Sequence, residues 1–459
     1  MKISVRFLAP VVFALYSVPM LAGDPGKLAH DIYKELIEIN TTESSGNVTK
    51  ACEAVAARLH QAGFSDSDVR IVGDVDRKKN LVARLRGSGQ GKPLLLLAHL
   101  DVVEANRDDW SVDPFTFLEK DGFYYGRGTT DDKAMAAIWI ANLIRYKEEG
   151  FKPRRDIIVA LTADEETGDA NGVSWLLKNE RQLIDAGFAL NEGGGGRSDG
   201  SRYVYNAVQA SEKVYITFEL VVTNPGGHSS VPRKPNAIYQ LAAGLTHLAA
   251  FEFPVQLNEI TRAYFQKMSA VETGQKAADM QAVTKTPPDA EAVRRLSETA
   301  AYNAQLRTTC VATRLDAGHA DNALPQTARA TVNCRVLPGQ STEEVKTTME
   351  RVLGDPSIEV TWIDRAKLSE PSPLSTEVMG PIEKVTARMW PGVPVIPIMM
   401  TGATDGLYLR NAGIPTYGVS GLFGDINDSR AHGRDERMGV KQFYEGLEFL
   451  HDLVKELAD

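Results

Sequence analysis

Five short segments of this 459-residue chain carry carboxylates and imidazoles, most of them just where an apolar run stops. The run from Leu94 to Ala98 breaks at once into His99-Leu100-Asp101. Next comes the turn-like Gly126-Arg127-Gly128-Thr129-Thr130-Asp131-Asp132-Lys133. The run from Ile157 to Leu161 ends in Asp164-Glu165-Glu166-Thr167-Gly168, and Phe188-Ala189-Leu190 ends in Asn191-Glu192-Gly193. Far downstream, Asp428-Ser429-Arg430-Ala431-His432 follows the strand-like segment 414–419. Gathering such groups away from water is costly unless a cation neutralises them. A dinuclear metal site does so: two ions about 3.5–4 Å apart share one bridging carboxylate and hold a hydroxide between them. His99 reads as a ligand and Asp101 as the carboxylate that fixes its ring tautomer. Alone, a His beside an Asp is more often a surface pair, and a Glu-Glu pair a solvated loop. It is the repetition that favours metal.

The elements that must position these groups are legible in outline. An apolar run introduced by Pro93 reads as a strand buried on both faces. In open α/β sheets the ligand crevice lies at the carboxyl ends of such strands. Segment 24–63 has helical periodicity, 80–85 alternates as a strand, and a helix is predicted from Lys133 to Tyr146. Trp110, Pro114 and Phe115 read as a packed loop beneath the site.

The pattern changes near residue 213. Segment 215–223 alternates polar and apolar, which implies an antiparallel sheet with one wet face. An inserted second domain is therefore placed at 213–368, between catalytic segments 24–212 and 369–459. It carries Gly226-Gly227-His228-Ser229-Ser230, then a helix from Asn236 to Leu248. Strands at 306–314 and 328–337, a helix from Ser341 to Val352 and a strand at 358–364 follow. Four strands and two helices in that order suggest a ferredoxin-like α+β lid. Segment 252–306 reads as a polar helical insertion within this domain, with no legible chemistry.

Length suits two large domains. A formal charge of −9 and a pI near 5.6 argue against nucleic-acid or anionic-membrane partners. Residues 1–23 read as a secretory signal peptide: Lys2 and Arg6, an apolar stretch from Leu8 to Leu21, then Ala22-Gly23. An uncleaved anchor is the runner-up. A secreted or periplasmic location follows, with no membrane contact once the leader is removed. Of Cys52, Cys310 and Cys334, one pair can form in an oxidising compartment. Cys310 and Cys334 can lie on neighbouring strands; buried free thiols are as plausible.

Taken in order, the His99 and Asp131 segments, Asp164-Glu165-Glu166-Thr167-Gly168, Asn191-Glu192-Gly193, Gly226-Gly227-His228-Ser229-Ser230 and the late His432 resemble the M20 family of co-catalytic zinc peptidases and amidohydrolases. The stretch 99–133 is most similar to the aminoacylase-1 and carboxypeptidase S branch. Ala134 departs from the Gly usual after the Asp-Asp-Lys of this motif. The resemblance implies a mixed-sheet catalytic domain with an inserted lid, and two Zn2+ per chain, with Co2+ or Mn2+ as substitutes. Asp131 would bridge the ions, His99 and Glu192 would complete one site, and Glu166 and His432 the other. Glu165 would be left free as general base and His228 would serve the oxyanion. Asn322, Arg335 and Gly402 match substrate-binding positions.

The activity implied is hydrolysis of an amide next to a free carboxylate in a small peptide or N-acyl amino acid, by a homodimer joined through the lid. Two other readings compete. One is a catalytically silent, zinc-stabilised binding protein, against which an intact Glu165 argues. The other is an M28-like aminopeptidase, a family without such a lid histidine.

Overall fold

The computed structural model describes residues 24–364 and 368–459; the leader read over 1–23 lies outside the described residues. Its main sheet has ten strands and is mixed. Leu94–His99 lies near the middle, parallel to Ile157–Thr162 on one side and to Phe188–Asn191 on the other. Every residue of Leu94–His99 and Ile157–Thr162 is buried, as unbroken apolar runs require when both sheet faces are covered. Asn80–Leu85 extends the sheet antiparallel to Ile157–Thr162.

One face is covered by the helix Lys133–Glu148, packed between the helices Pro25–Glu38 and Val440–Ala458. Thirteen of its sixteen residues are buried, so its apolar character all round reflects neighbours on every side. Trp139 Nε1 donates to the Leu97 carbonyl at 3.2 Å and fastens the helix to the central strand. The expected entry helix divides in two, Pro25–Glu38 and Val48–Gln61. Asp24 caps the first, with Pro25 in its opening turn, and Asn47 caps the second.

The chain leaves this sheet after Arg202–Glu212 and enters a separate four-stranded sheet with Val214–Thr223. Across that sheet the order is Thr309–Ala317, Thr327–Val336, Val214–Thr223, Glu359–Asp364, with all pairs antiparallel. Helices Ala237–Ala250 and Thr342–Leu353 pack together on one face, giving the ferredoxin-like arrangement. Val214, Ile216, Phe218, Leu220 and Val222 point into that core, and period-two alternation places them there. Cys310 and Cys334 face each other across adjacent strands and form a disulfide; Cys52 is buried and free.

One expectation needs correction. Segment 252–306 is expected within the lid. Its helices Glu259–Met268, Gly274–Val283, Ala290–Ser297 and Ala300–Leu306 instead share an apolar cluster with Ile396 of the main sheet's strand Val395–Met400. Lys267 donates to the Val395 carbonyl at 3.1 Å and Gln305 to that of Met399 at 2.9 Å. The physical reason is an apolar seam inside a polar segment. Phe265, Met268, Met280 and Leu306 need a dry partner, and the strand Val395–Met400 offers one.

Candidate metal centre

The C-terminal ends of the three central strands deliver His99, the Glu165–Glu166 pair and Glu192 to one place. The remaining two predicted ligands come from loops rather than main-sheet strand ends. A small side sheet pairs Phe123–Tyr125 with Arg437–Gly439. Asp131 follows its first strand and His432 precedes its second. That pairing sets two residues 301 positions apart side by side: His432 Nε2 lies 3.1 Å from Asp131 Oδ2 and 3.0 Å from Glu166 Oε1. His99 Nε2 lies 3.0 Å from Asp131 Oδ1. Asp131 thus touches an imidazole with each oxygen.

His99, Asp131 and Glu166 offer donor atoms within 4.8 Å of one another, and so do His99, Glu165 and Glu192. The second grouping differs from the expected set, because Glu165 stands among the donors. Asp164 adopts a left-handed backbone conformation (φ 64°), which turns the chain between the strand and this glutamate pair. Its carboxylate is held by Lys78 at 2.6 Å and by Thr167 and the Ala170 amide.

Burial and neighbouring acids raise three titratable groups of this cluster. Burial, reinforced by Asp405 and Glu166 against the opposing His99, pushes the Glu165 carboxyl up to about 9. Burial likewise drives Glu192 well above the usual range, with His99 opposing and Asp131 adding to it. Asp131 and Glu166 push the His432 imidazole up to about 10. Carboxylates crowded with imidazoles and without thiolate form the donor set a hard or borderline divalent cation takes. The residues present therefore fit a two-ion centre.

Asp101 behaves differently from expectation. His99 Nδ1 lies 3.0 Å from the Asp101 carbonyl oxygen but 3.6 Å from its carboxylate. The peptide group therefore holds the ring, and the carboxylate accepts the Glu166 amide at 3.0 Å. A carbonyl can only accept, so it fixes the same tautomer the carboxylate was assigned to fix.

The lid residues fall into two pairs. His228 is exposed, lies on the two-residue strand Gly227–His228 and bonds to Ser230; the next amide, Ser229, donates to the Asn322 carbonyl at 3.0 Å. Arg335 lies over the Tyr215 ring, 4.6 Å from its centroid, and donates to Thr401 next to Gly402 at 3.4 Å. Among the described residues, no hydrogen bond or ion pair joins either pair to the carboxylate–imidazole cluster.

Two buried acids escaped the sequence reading. Asp405 accepts from Thr162 and Asn171, and burial lifts it to about 6. Glu436 receives Arg127 at 2.7 Å and four further donors from residues 128–131. The only signal for Glu436 was an acid four positions after a candidate histidine ligand. A cavity of about 520 Å³ opens beside Asp131 and Glu192; Met135, Met400 and Phe423 line it together with Arg197, Asp428 and Arg430. That volume lies in the range of small-molecule sites. Gly194 on its rim has no space for a side chain, since a Cβ would stand 2.0 Å from the Gly418 carbonyl oxygen.

A mixed sheet whose strand ends and neighbouring loops gather acids and imidazoles offers the donor set that metal-dependent hydrolases use. The chain belongs to the peptidase family M20/M25/M40, whose model matches residues 95–456, and it is a hydrolytic enzyme. It is 30% identical over 373 residues to the N-fatty-acyl-amino acid synthase/hydrolase PM20D1 of Xenopus tropicalis, covering 79% of this chain and 72% of that one. Against the probable carboxypeptidase S-like 2 of Dictyostelium discoideum it is 30% identical, covering 79% and 71%. Mouse aminoacylase-1 is 25% identical, with 93% and 94% covered. Among solved structures, the M20 metallo-carboxypeptidase Sso-CP2 of Sulfolobus solfataricus superposes with a TM-score of 0.69 at 17% identity, over 94% of this chain and 99% of that one. Bacillus subtilis YXEP, a dinuclear metal-binding M20 peptidase, gives 0.61 at 12% identity, over 95% and 98%.

Proposed function

We propose that this chain is a secreted or periplasmic di-zinc amidohydrolase that cleaves the amide of an N-acyl amino acid or small peptide beside its free carboxylate. The observation that carries the reading is Glu165. It is a mostly buried carboxyl set among the donors of an imidazole–carboxylate cluster, two members of which, Asp131 and Glu192, open onto a cavity. Relatives named as N-fatty-acyl-amino acid hydrolase and aminoacylase support an acyl group in that cavity.

Two zinc ions held by His99, Asp131, Glu166, Glu192 and His432 would supply Lewis acidity and a nucleophilic water at neutral pH. Glu165 takes the proton as the water oxygen bonds to the amide carbon, and returns it to the nitrogen as the C–N bond breaks. Its basicity falls into a working range only when cations offset the neighbouring acids. His228 donates to the developing oxyanion, and Arg335, with Asn322 and Gly402, receives the substrate carboxylate.

His228 is exposed and bonds to Ser230 rather than to any residue of the centre, which supports its action on a partner's site in a lid-joined homodimer. The Cys310–Cys334 bond supports an oxidising compartment. The test is hydrolysis of matched free-acid and amide-capped N-acyl amino acids by the zinc-loaded protein. The free acid should be preferred, and Arg335→Ala should erase the preference. Equal rates on both substrates would make Arg335 structural.

A further inference from the structure

The candidate ligands come from segments hundreds of residues apart, and one buried ion pair touches three of them. Glu436 is fully buried, and its carboxylate is filled by five donors. Oε2 accepts Arg127 Nη1 at 2.7 Å and the Gly128 amide at 3.0 Å. Oε1 accepts the Thr130 amide at 2.7 Å, the Thr130 hydroxyl at 2.8 Å and the Asp131 amide at 3.2 Å. Arg127 Nη2 reaches the carbonyls of Glu104 and His432, both at 3.4 Å. The guanidinium also lies over Trp110, 5.0 Å from the ring centroid. The pair therefore connects the loop after His99, the turn that presents Asp131 and the segment that presents His432.

The chemistry here is positional. The donors from 128–131 belong to the turn that presents Asp131, so the carboxylate fixes the direction in which that side chain leaves the backbone. Gly128, at φ 88°, lets the turn close: a Cβ there would stand 2.9 Å from Val102 and Lys133 side-chain atoms.

We infer that Glu436 and Arg127 act as a positioning pair that sets the spacing of Asp131 and His432, and through it the affinity of the ion those two residues share. This rests on the two-ion reading above. Outer hydrogen-bond partners of metal ligands typically contribute about 10–100-fold in metal affinity.

The experiment is zinc titration of the metal-free full chain against a chromogenic chelator, for the unaltered protein, Glu436→Gln and Arg127→Lys, with circular dichroism on each. The Gln variant keeps size but turns an amide NH2 toward donors. The Lys variant keeps charge but lacks the fork that reaches Glu104 and His432. In both, the affinity for the ion shared by Asp131 and His432 should fall about 10–100-fold, and by more than the affinity for the other ion that Asp131 touches, while the fold is retained. Co2+-loaded variants should show the larger change in the visible spectrum for that ion. Two unaltered affinities in a folded variant would overturn the inference, as would an equal fall in both. If Glu436→Gln does not fold, Arg127→Lys decides alone, and failure of both to fold assigns the pair to stability and overturns the positioning role. An unaltered protein that binds fewer than two ions would instead sink the dinuclear reading.

Discussion

Glu165 is proposed to move a proton, Asp131 to hold charge in place. Glu165→Gln keeps shape and removes the proton acceptor. It should retain both metal ions by elemental analysis and lose about 10²–10⁴-fold in kcat; near-normal turnover with full metal would assign the base elsewhere. Asp131 touches both imidazoles, so Asp131→Ala should release more metal under mild dialysis than the loss of any other single ligand. Equal retention in Asp131→Ala and Glu192→Ala would refute a bridging role. Most of these side chains were legible in the sequence, because each is a distinctive chemical group standing where an apolar run ends. Glu436 was not. Its meaning lies in amides more than 300 positions earlier, and a backbone amide leaves no trace in residue type. The Asp101 carbonyl was hidden for the same reason, behind a carboxylate that drew the assignment to itself.

Strands and helices were read well where burial imposed a period. The runs at 94–99 and 157–162 are central strands, and the alternation at 215–223 is one strand of the lid sheet. The insertion's place is hidden in the sequence because its apolar seam is spread over four short helices, and an amphipathic face shows that a partner exists without naming it. Between the two sheets sits Lys213, buried, with its ammonium on the Arg307 carbonyl at 2.7 Å. Burial, with Arg335 adding to it, lowers Lys213 to about 7. The unfolded chain keeps that proton up to about pH 10.5, so between pH 7 and 10.5 it binds more protons than the folded protein. This group's contribution to stability therefore rises with pH across that window and is unfavourable below it. Lys213→Met should gain melting temperature relative to the unaltered protein at pH 6, and the difference should shrink as pH climbs to 10. A difference independent of pH would show that the amine is charged in the folded state throughout.

At the scale of the molecule, the lid's edge strand Thr309–Ala317 leaves Val311 and Leu315 about 60–67% exposed, and Tyr239 on the neighbouring helix is 72% exposed. These surfaces support the proposed lid-to-lid dimer. Co-expressed Glu165→Ala and His228→Ala chains should regain activity in isolated heterodimers, since one site would then hold both residues. Heterodimers that stay inactive, or a monomer at working concentration, would return His228 to its own chain. The cradle around Glu436 has a further consequence, in time rather than space. A chain emerging from the ribosome presents His99, Asp131, both glutamates of the 165–166 pair and Glu192 well before His432 and Glu436 exist. Until those last residues arrive the Asp131 turn lacks its anchor, and closing a loop of about 300 residues adds an entropic delay. On the two-ion reading, the nascent chain would bind metal weakly throughout synthesis, and the centre would mature only once the segment carrying His432 and Glu436 has folded onto the Asp131 turn.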